Sequence, residues 1–163
     1  MSGGCRFISC LLVLSLLAPV MALAKDDIRF TSIAEVERPQ VNAKGEKVMV
    51  REPATLLQPG EIAIYSNSFT NIGKEAAEKV TVSNPVPANT EYLGGSATET
   101  GYDVVFSVDK GKSFGKPADL KVPDGKGGQR SAEPKEYTDI RWTMQAPLKP
   151  GATGVVEFRV RVK

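Results

Sequence analysis

Carboxylates, serines and lysines are the side chains of this chain that could do chemistry, because the sequence has no histidine and only two cysteines. The cysteines, Cys5 and Cys10, lie in an apolar N-terminal stretch. These absences argue against Ser-His-Asp and Cys-His nucleophile systems and against ordinary zinc sites. Paired carboxylates, as in glycoside hydrolysis, and Ser-Lys arrangements stay open, but no segment shows a marked constellation. We therefore predict no catalytic residues and no cofactor.

Acidic residues are the remaining candidate metal ligands, and they fall into short clusters along the chain. The clusters are Asp26 with Asp27, Asp103 with Asp109, Asp119 with Asp124, and Glu133 with Glu136. Calcium takes about six to eight oxygen ligands that converge on one point, and none of the clusters has the alternating spacing of a calcium loop. We predict solvated surface and no metal site, while a calcium site built by converging loops stays open as an alternative.

Residues 107–114, with the sequence Ser-Val-Asp-Lys-Gly-Lys-Ser-Phe, fit the Asp-box pattern Ser-x-Asp-x-Gly-x-Ser/Thr-aromatic. In this motif the aspartate caps backbone amides of a β-hairpin turn, the glycine takes a positive φ, and the aromatic ring packs beneath. One interpretation is a sialidase-like or glycan-binding propeller, but a propeller repeats such a unit in several blades. This chain has one box, so we predict a structural hairpin around Asp109 and Gly111.

Trp142 is the only tryptophan, and an aromatic side chain on the surface could anchor a sugar or a partner. It alternates with Arg141 and Thr143 and shares a face with Ile140 and Met144, which predicts a buried position instead. With the Asp-box, Trp142 and three tyrosines keep a glycan-binding alternative open. The tyrosines are Tyr92, Tyr102 and Tyr137.

The elements that must position these residues begin after an N-terminal segment organised as a cleavable signal peptide. Arg6 supplies a positive region, residues 7–20 are mostly apolar, and Ala22 and Ala24 occupy the −3 and −1 positions of a signal-peptidase site. The apolar stretch is shorter than the ~20 residues of a membrane-spanning helix. We therefore predict that residues 1–24 are a signal peptide.

Removal of that segment defines a mature chain of residues 25–163, beginning at Lys25, which has the length of one domain. A lipid-attached cysteine follows the apolar stretch, whereas Cys10 precedes most of it, so a lipoprotein is not predicted. The mature chain keeps 20 basic and 19 acidic side chains, a net charge of +1, and no cysteine. It can form no disulfide, and its charge gives no case for nucleic acid or anionic membrane.

Alternation with a period of two, the signal for β-strands, dominates the chain from Ile28 onward. The clearest case is residues 155–163, where apolar side chains occupy one face and charged side chains the other. The segment 61–70 has no cleanly apolar face, so we interpret it as a central strand or a bulged one. Turn signals separate candidate strands at 28–37, 47–51, 61–70, 79–83, 90–93, 104–108, 140–144 and 155–163.

Two connections complete the predicted organisation. Residues 116–135 are polar and rich in glycine and proline, and we predict a long loop within the same domain, since too few residues follow it for a second core. The turn at residues 147–151 joins the last two strands, either across a sandwich corner or as a hairpin. Many short strands with frequent turns predict an all-β sandwich or barrel in a single domain.

A series of short motifs in the C-terminal two-thirds of the chain carries a family resemblance. In order, they are Gly60-Glu61, Tyr65, Asn71-Ile72-Gly73, Asn84-Pro85-Val86-Pro87, Thr90-Glu91-Tyr92, Ser96, Tyr137-Thr138-Asp139-Ile140-Arg141-Trp142 and Leu148-Lys149-Pro150-Gly151. Residues 59–162 thereby resemble the conserved-repeat family catalogued as domain of unknown function number eleven (DUF11). Asn84 stands where aspartate is commoner in that family, and residues of both kinds cap turns. The resemblance implies a single immunoglobulin-like antiparallel β-sandwich of about seven to nine strands on exported bacterial proteins, and it implies no reaction.

The leading functional interpretation is a non-catalytic exported module, structural or adhesive, that contacts another protein or glycan in the periplasm or at the cell surface. The alternative is a small glycan-binding or carbohydrate-active protein, which would present a groove with two exposed aromatic rings or two facing carboxylates. A third interpretation is a surface-assembly subunit that donates or accepts a strand. That interpretation predicts an unpaired N-terminal segment before Arg51. We expect no nucleic-acid partner and no membrane span after cleavage.

Overall fold

The computed structural model describes residues 27–163, so the predicted signal peptide 1–24 and the mature N-terminus at Lys25 lie outside the described residues. The described chain is all-β, as predicted, with one short 3-10 helix, Pro134–Glu136. Its strands are β1 (Ile28–Val41), β2 (Lys47–Pro53), β3 (Ile62–Asn71), β4 (Thr81–Pro85), β5 (Thr90–Tyr92), β6 (Tyr102–Ser107), β7 (Lys121–Pro123), β8 (Gln129–Ser131), β9 (Asp139–Met144) and β10 (Thr153–Val162).

Two antiparallel sheets, of order β2-β1-β3-β10-β5 and β4-β9-β6, form the body of the molecule. Rings from the two sheets meet in one core. The ring centroids of Trp142 in β9 and Phe158 in β10 lie 5.9 Å apart, and those of Phe106 in β6 and Tyr92 in β5 lie 5.4 Å apart. Strand β9 therefore packs over β10 and the end of β6 over β5, whereas Tyr102 at the start of β6 packs on Phe69 of β3 with ring centroids 6.4 Å apart. The strands of the two sheets thus cross at an angle. The eight strands make the antiparallel sandwich that was predicted.

The last two strands show how alternation builds the core. Val156, Phe158 and Val160 are fully buried, while the charged residues between them lie on the outer face of the five-stranded sheet. Trp142 on the facing sheet is also fully buried, as predicted, and its Nε1–H donates a hydrogen bond to the carbonyl oxygen of Thr98 (3.0 Å). Because β9 and β10 belong to different sheets, the turn between them is a sandwich corner rather than a hairpin.

Strand β3 is the central strand of the larger sheet, which resolves the ambiguity of its sequence. It pairs with β1 and with β10 in unbroken register, so it carries no bulge. Its inner face contributes Ala63 and Phe69, both fully buried, to the core. Ile64 on the outer face is also buried, at 1 % exposure. Near its N-terminal end, the strand is therefore buried on both faces.

All eight predicted strands are present, with ends that differ from the prediction by one to four residues, and the largest differences concern β1 and the predicted loop. Strand β1 continues four residues past residue 37, because residues 38–41 pair with β2 and need no partner in β3. The predicted loop 116–135 contains the β7–β8 hairpin and the 3-10 helix. Short strands with no apolar face give little periodic signal, and their pairing is held by the turn between them, where Asp124 Oδ1 accepts hydrogen bonds from two backbone amides.

The Asn-Ile-Gly turn after β3 is held by the fully buried side chain of Asn71. Its Nδ2 donates to the carbonyl oxygens of Glu75 (2.7 Å) and Leu148 (2.8 Å), and its Oδ1 accepts from the amide of Gly73 (2.9 Å). One side chain thus ties the turn to the distant corner before β10. By contrast, neither side-chain polar atom of the fully buried Asn67 has a hydrogen-bond partner within the described residues.

Candidate functional site

The Asp-box forms a closed structural turn after β6. The carboxylate of Asp109 accepts hydrogen bonds from the backbone amide (2.9 Å) and hydroxyl (2.6 Å) of Ser113 and from the hydroxyl of Ser107 (2.7 Å). Gly111 has a φ of +74°, as the motif requires. The hydrogen bonds from Ser113 and Ser107 hold the pKa of Asp109 well below its ordinary value. Both carboxylate oxygens therefore accept hydrogen bonds within the turn, which is the arrangement that the motif predicts.

The turn should make stability depend on acid through Asp109. A carboxyl whose pKa is lowered by folding stabilises the native state above its unfolded pKa of about 4, and this contribution is lost as the pH falls below that value. We expect Asp109→Asn to lower the melting temperature at pH 7. Between pH 5 and pH 2, the melting temperature of the variant should decrease less than that of the unaltered chain. Thermal melts across that range test this.

Asp119→Asn is the matched control, because Asp119 is exposed and its side chain makes no hydrogen bond within residues 27–163. If the melting temperature of the Asp109→Asn variant falls between pH 5 and pH 2 as steeply as that of the unaltered chain and of the control, Asp109 does not stabilise the turn as described.

The other acidic residues make separate local contacts. Glu136 forms a two-point ion pair with Arg130 (2.6 Å for each N–O contact), which lowers the pKa of Glu136 to about 2. Asp103 pairs with Lys116, and Glu133 pairs with Lys135. Asp124 caps the β7–β8 turn, and Asp26 lies outside the described residues. Within residues 27–163, no group of three or more acidic side chains is placed to hold a metal ion.

The aromatic residues that motivated a glycan site belong to the core. Tyr92 and Tyr137 are 3 % and 5 % exposed, and their rings stack with centroids 5.9 Å apart. Tyr102 is half-buried, and its hydroxyl donates to the carbonyl oxygen of Val155 (3.3 Å). Among the described residues, Phe30 is the one exposed large aromatic side chain. No groove formed by residues 27–163 therefore presents two exposed aromatic rings.

A charge network on the outer face of the larger sheet was not predicted from the sequence. Arg51 of β2 contacts Glu37 of β1 (3.5 Å) and Glu157 of β10 (2.8 Å), and Arg159 of β10 contacts Glu37 (3.1 Å). The hydrogen bond from Arg159 is the main cause that lowers the pKa of Glu37, and the bond from Arg51 has the same effect on Glu157. These side chains lie across the buried Ile64. A single exposed ion pair contributes little to the free energy of unfolding. We therefore assign the network the role of shielding Ile64 on this face of the sheet from solvent.

An open side of the sandwich is the second feature that local patterns did not reveal. Strand β1 lies beyond β3 in the larger sheet, and β4 is an edge strand of the smaller sheet. Strand β2 pairs with residues 35–41 of β1 only, so residues 28–33 have no strand neighbour on their outer side within the described chain. We call the free edge of β4 together with residues 28–33 the open side.

Backbone hydrogen-bonding groups point outward along β4. The amide of Met144 donates to Val80, and the amide of Val86 donates to Thr138, so the even-numbered residues of this strand bond to β9. Antiparallel pairing alternates the bonding direction, which turns the N–H and C=O groups of Thr81 and Ser83 away from β9. Within residues 27–163, no strand pairs with that side of β4.

An apolar groove of about 450 Å³ runs beside this free edge. Its floor and walls include Ile28 and Phe30 of β1, Phe69 of β3, and Val80 and Val82 next to and within β4. Phe30 points toward the space between the sheets, yet half of its surface (51 %) is exposed, because nothing in the described chain lies over it. An exposed aromatic ring beside unpaired strand groups marks a contact surface.

The other half of β1 is closed, which limits the length of the groove. The amide of Ala54 donates to the carbonyl oxygen of Ala34 (3.0 Å), and Arg38 donates to the carbonyl oxygen of Leu56 (3.0 Å). These bonds hold the segment after β2 against β1, where Val36 is only 2 % exposed. Residues 28–41 are thus paired with β3, with β2 or with both, so the unpaired segment before Arg51 that was expected for a subunit that donates or accepts a strand is not found in the described residues.

No helix within residues 27–163 has the length and apolar character to cross a membrane. Comparison with models of protein families, with curated protein sequences and with solved structures finds no match to this chain. The resemblance to the DUF11 family therefore stays a prediction.

Proposed function

We propose that the mature chain is a non-catalytic, exported protein-interaction module of the bacterial envelope, whose activity is binding. The observation that carries this proposal is the open side, where unpaired strand groups lie beside an apolar groove with an exposed Phe30. Soluble domains rarely leave such an edge unprotected unless another chain covers it. The signal-peptide pattern of residues 1–24 supports a location in the periplasm or at the cell surface.

The protonation states of the acidic residues also support binding rather than catalysis. A carboxyl group that acts as a general acid near neutral pH needs a raised pKa. Within residues 27–163, every carboxyl group with a shifted pKa is shifted downward, by hydrogen bonds or by ion pairs. The glycan-binding alternative loses its main support, since its aromatic residues lie in the core.

The motifs behind the DUF11 resemblance have structural roles that suit such a module. Asn71 holds a turn, and the hydroxyl of Thr90 donates to the carbonyl oxygen of Pro87 (2.8 Å). The hydroxyl of Ser96 donates to Leu93 (2.5 Å) and accepts from the amide of Arg159 (3.0 Å), which fastens a loop to β10. These roles favour a family defined by its sandwich and not by a reaction.

We expect the purified mature chain to bind an envelope component and to turn over no member of a panel of glycans, peptides and esters. A second test addresses a surface other than the open side and removes residues 122–131, which form the exposed β7–β8 hairpin. Its base is closed by a hydrogen bond from the amide of Ala132 to the carbonyl oxygen of Leu120 (3.0 Å), so the fold should survive the deletion. Loops at a sandwich end commonly carry binding, and partner capture should weaken.

Two measurements check these results. Urea unfolding of the deletion variant should stay cooperative, and capture of the partner should fall relative to the complete chain. Hydrolysis of any panel member that one carboxylate or serine substitution abolishes would overturn the proposed function.

A further inference from the structure

We propose that an extended segment of a partner polypeptide, with apolar side chains at alternate positions, adds to the free edge of β4 as a fourth strand. This inference rests on the proposed function and names the kind of partner. The added strand would accept and donate backbone hydrogen bonds at Thr81 and Ser83. Its apolar side chains would enter the groove and cover Phe30.

The backbone of β4 requires this kind of occupant. Unpaired N–H and C=O groups in strand geometry are satisfied together only by another strand, which is the basis of strand addition. The opposite edge of the same sheet is protected. There Phe106 and Gly115 exchange backbone hydrogen bonds (2.9 Å each), and the Nζ atom of Lys116 donates to the carbonyl oxygen of Val104 (2.9 Å). One edge is blocked by the protein's own chain, and the edge beside the groove is left free.

The groove fixes the character of the incoming side chains. Alternate residues of a strand point to opposite faces, so every second side chain of the added strand would face Ile28 and Phe30, and the others would face solvent. The lining residues within reach are apolar, apart from Glu78 and the hydroxyl groups at the rim. An alternating apolar segment therefore fits, whereas a uniformly charged one would lose its hydration without compensation.

The space beside β4 suits one added strand. It is bordered by Ile28 and Phe30 of β1, and residues 28–33 have no strand neighbour on their outer side within the described chain. A single extended segment can therefore pair with Thr81 and Ser83 and contact both apolar side chains.

The free edge of β2 differs from that of β4 in its chemistry. Its outward-facing positions include Lys47, Arg51 and Pro53, and charged residues and proline are the usual protection of an exposed edge against pairing. On β4 the outward-facing positions are Thr81 and Ser83, followed by Pro85 at the end of the strand. Pairing at this edge is therefore open at Thr81 and Ser83 and stops at the proline, which has no N–H group to donate.

The first experiment locates the partner. Photo-crosslinking amino acids are placed singly at Thr81, Ser83 and Val122 of the full chain, which is produced in its native host. We expect probes at Thr81 and Ser83 to crosslink residues two positions apart in one segment of another polypeptide, because neighbouring strands run in register. Adducts to a second copy, to lipid, or at Val122 alone would overturn the strand inference. Adducts at Val122 alone would leave the proposed function intact, and no adduct at any position would count against both.

The second experiment tests the backbone contact with the crosslinked segment as a synthetic peptide. Ser83→Pro removes an N–H group that no strand of the described chain uses, so the fold should persist while peptide affinity falls at least tenfold. Met49→Pro is the matched control, since the N–H of Met49 points outward from the free edge of β2 in the same way. Equal peptide affinities for both variants and the unaltered chain, with melting curves that show folded protein, would overturn the inference.

Discussion

Replacement of Trp142 by alanine lowers the free energy of unfolding by about 3–5 kcal/mol, the usual range for deletion of a large buried aromatic side chain. Trp142 is fully buried between the two sheets, its ring lies against Phe158, and its Nε1–H is bonded to Thr98. The substitution leaves a cavity in the core and removes the hydrogen bond to the partly buried carbonyl oxygen of Thr98. The loss is a large share of the ~5–15 kcal/mol that stabilises a typical domain. Urea titration followed by circular dichroism measures it.

Arg161→Ala provides the control for this experiment. Arg161 lies on the exposed outer face of β10, beside the fully buried Val160, and its loss should cost less than about 0.5 kcal/mol. Similar losses for Trp142→Ala and Arg161→Ala would mean that the strands bury the opposite faces from those described.

Asn71→Leu should also destabilise the protein strongly, by at least about 2 kcal/mol. The substitution leaves the carbonyl oxygen of Glu75 and the amide of Gly73 without the side-chain partner that holds the turn after β3, while the carbonyl oxygen of Leu148 keeps its bond from the amide of Ala77. An unsatisfied buried group costs about 1–3 kcal/mol. The turn also fixes the corner before β10, so we expect the loss to appear in the global unfolding transition. Chemical denaturation at neutral pH measures this change.

Asn67→Leu is the matched comparison, because both asparagines are fully buried on β3 and only the side chain of Asn71 makes hydrogen bonds within the described residues. A buried amide without partners is costly, so its replacement by a similar apolar side chain should leave stability unchanged or raise it by about 1 kcal/mol. Equal destabilisation by the two substitutions would contradict the contrast drawn between them.

Features that depend on neighbouring residues could be predicted from the sequence. The alternation around Phe158 and Trp142 assigned the buried faces of β10 and β9, because side-chain direction in a strand repeats every second residue. The Asp-box specified its own turn, since Asp109 reaches only residues within the same short segment. Frequent turn signals between short alternating segments predicted an all-β sandwich or barrel, because each of these signals is also read within a few neighbouring residues.

Features that depend on strand order could not be predicted in this way. The open side exists because five strands face three, and no local pattern shows how many strands enter each sheet. The contact between Arg51 and Glu157 joins residues far apart in the chain, and only the register of β2, β1, β3 and β10 brings them together. The β7–β8 hairpin was missed because its strands are short and exposed.

Amide hydrogen exchange at β4, followed by nuclear magnetic resonance, tests the central claim most directly. In the free mature chain the amides of Thr81 and Ser83 should exchange rapidly, while the amide of Val82, which bonds to β9, should be protected. Addition of the crosslinked partner segment should slow exchange at Thr81 and Ser83 at least tenfold and leave Met49 on β2 unchanged. Protection of Thr81 and Ser83 already in the free chain, or rapid exchange there in the complex, would contradict strand addition at this edge.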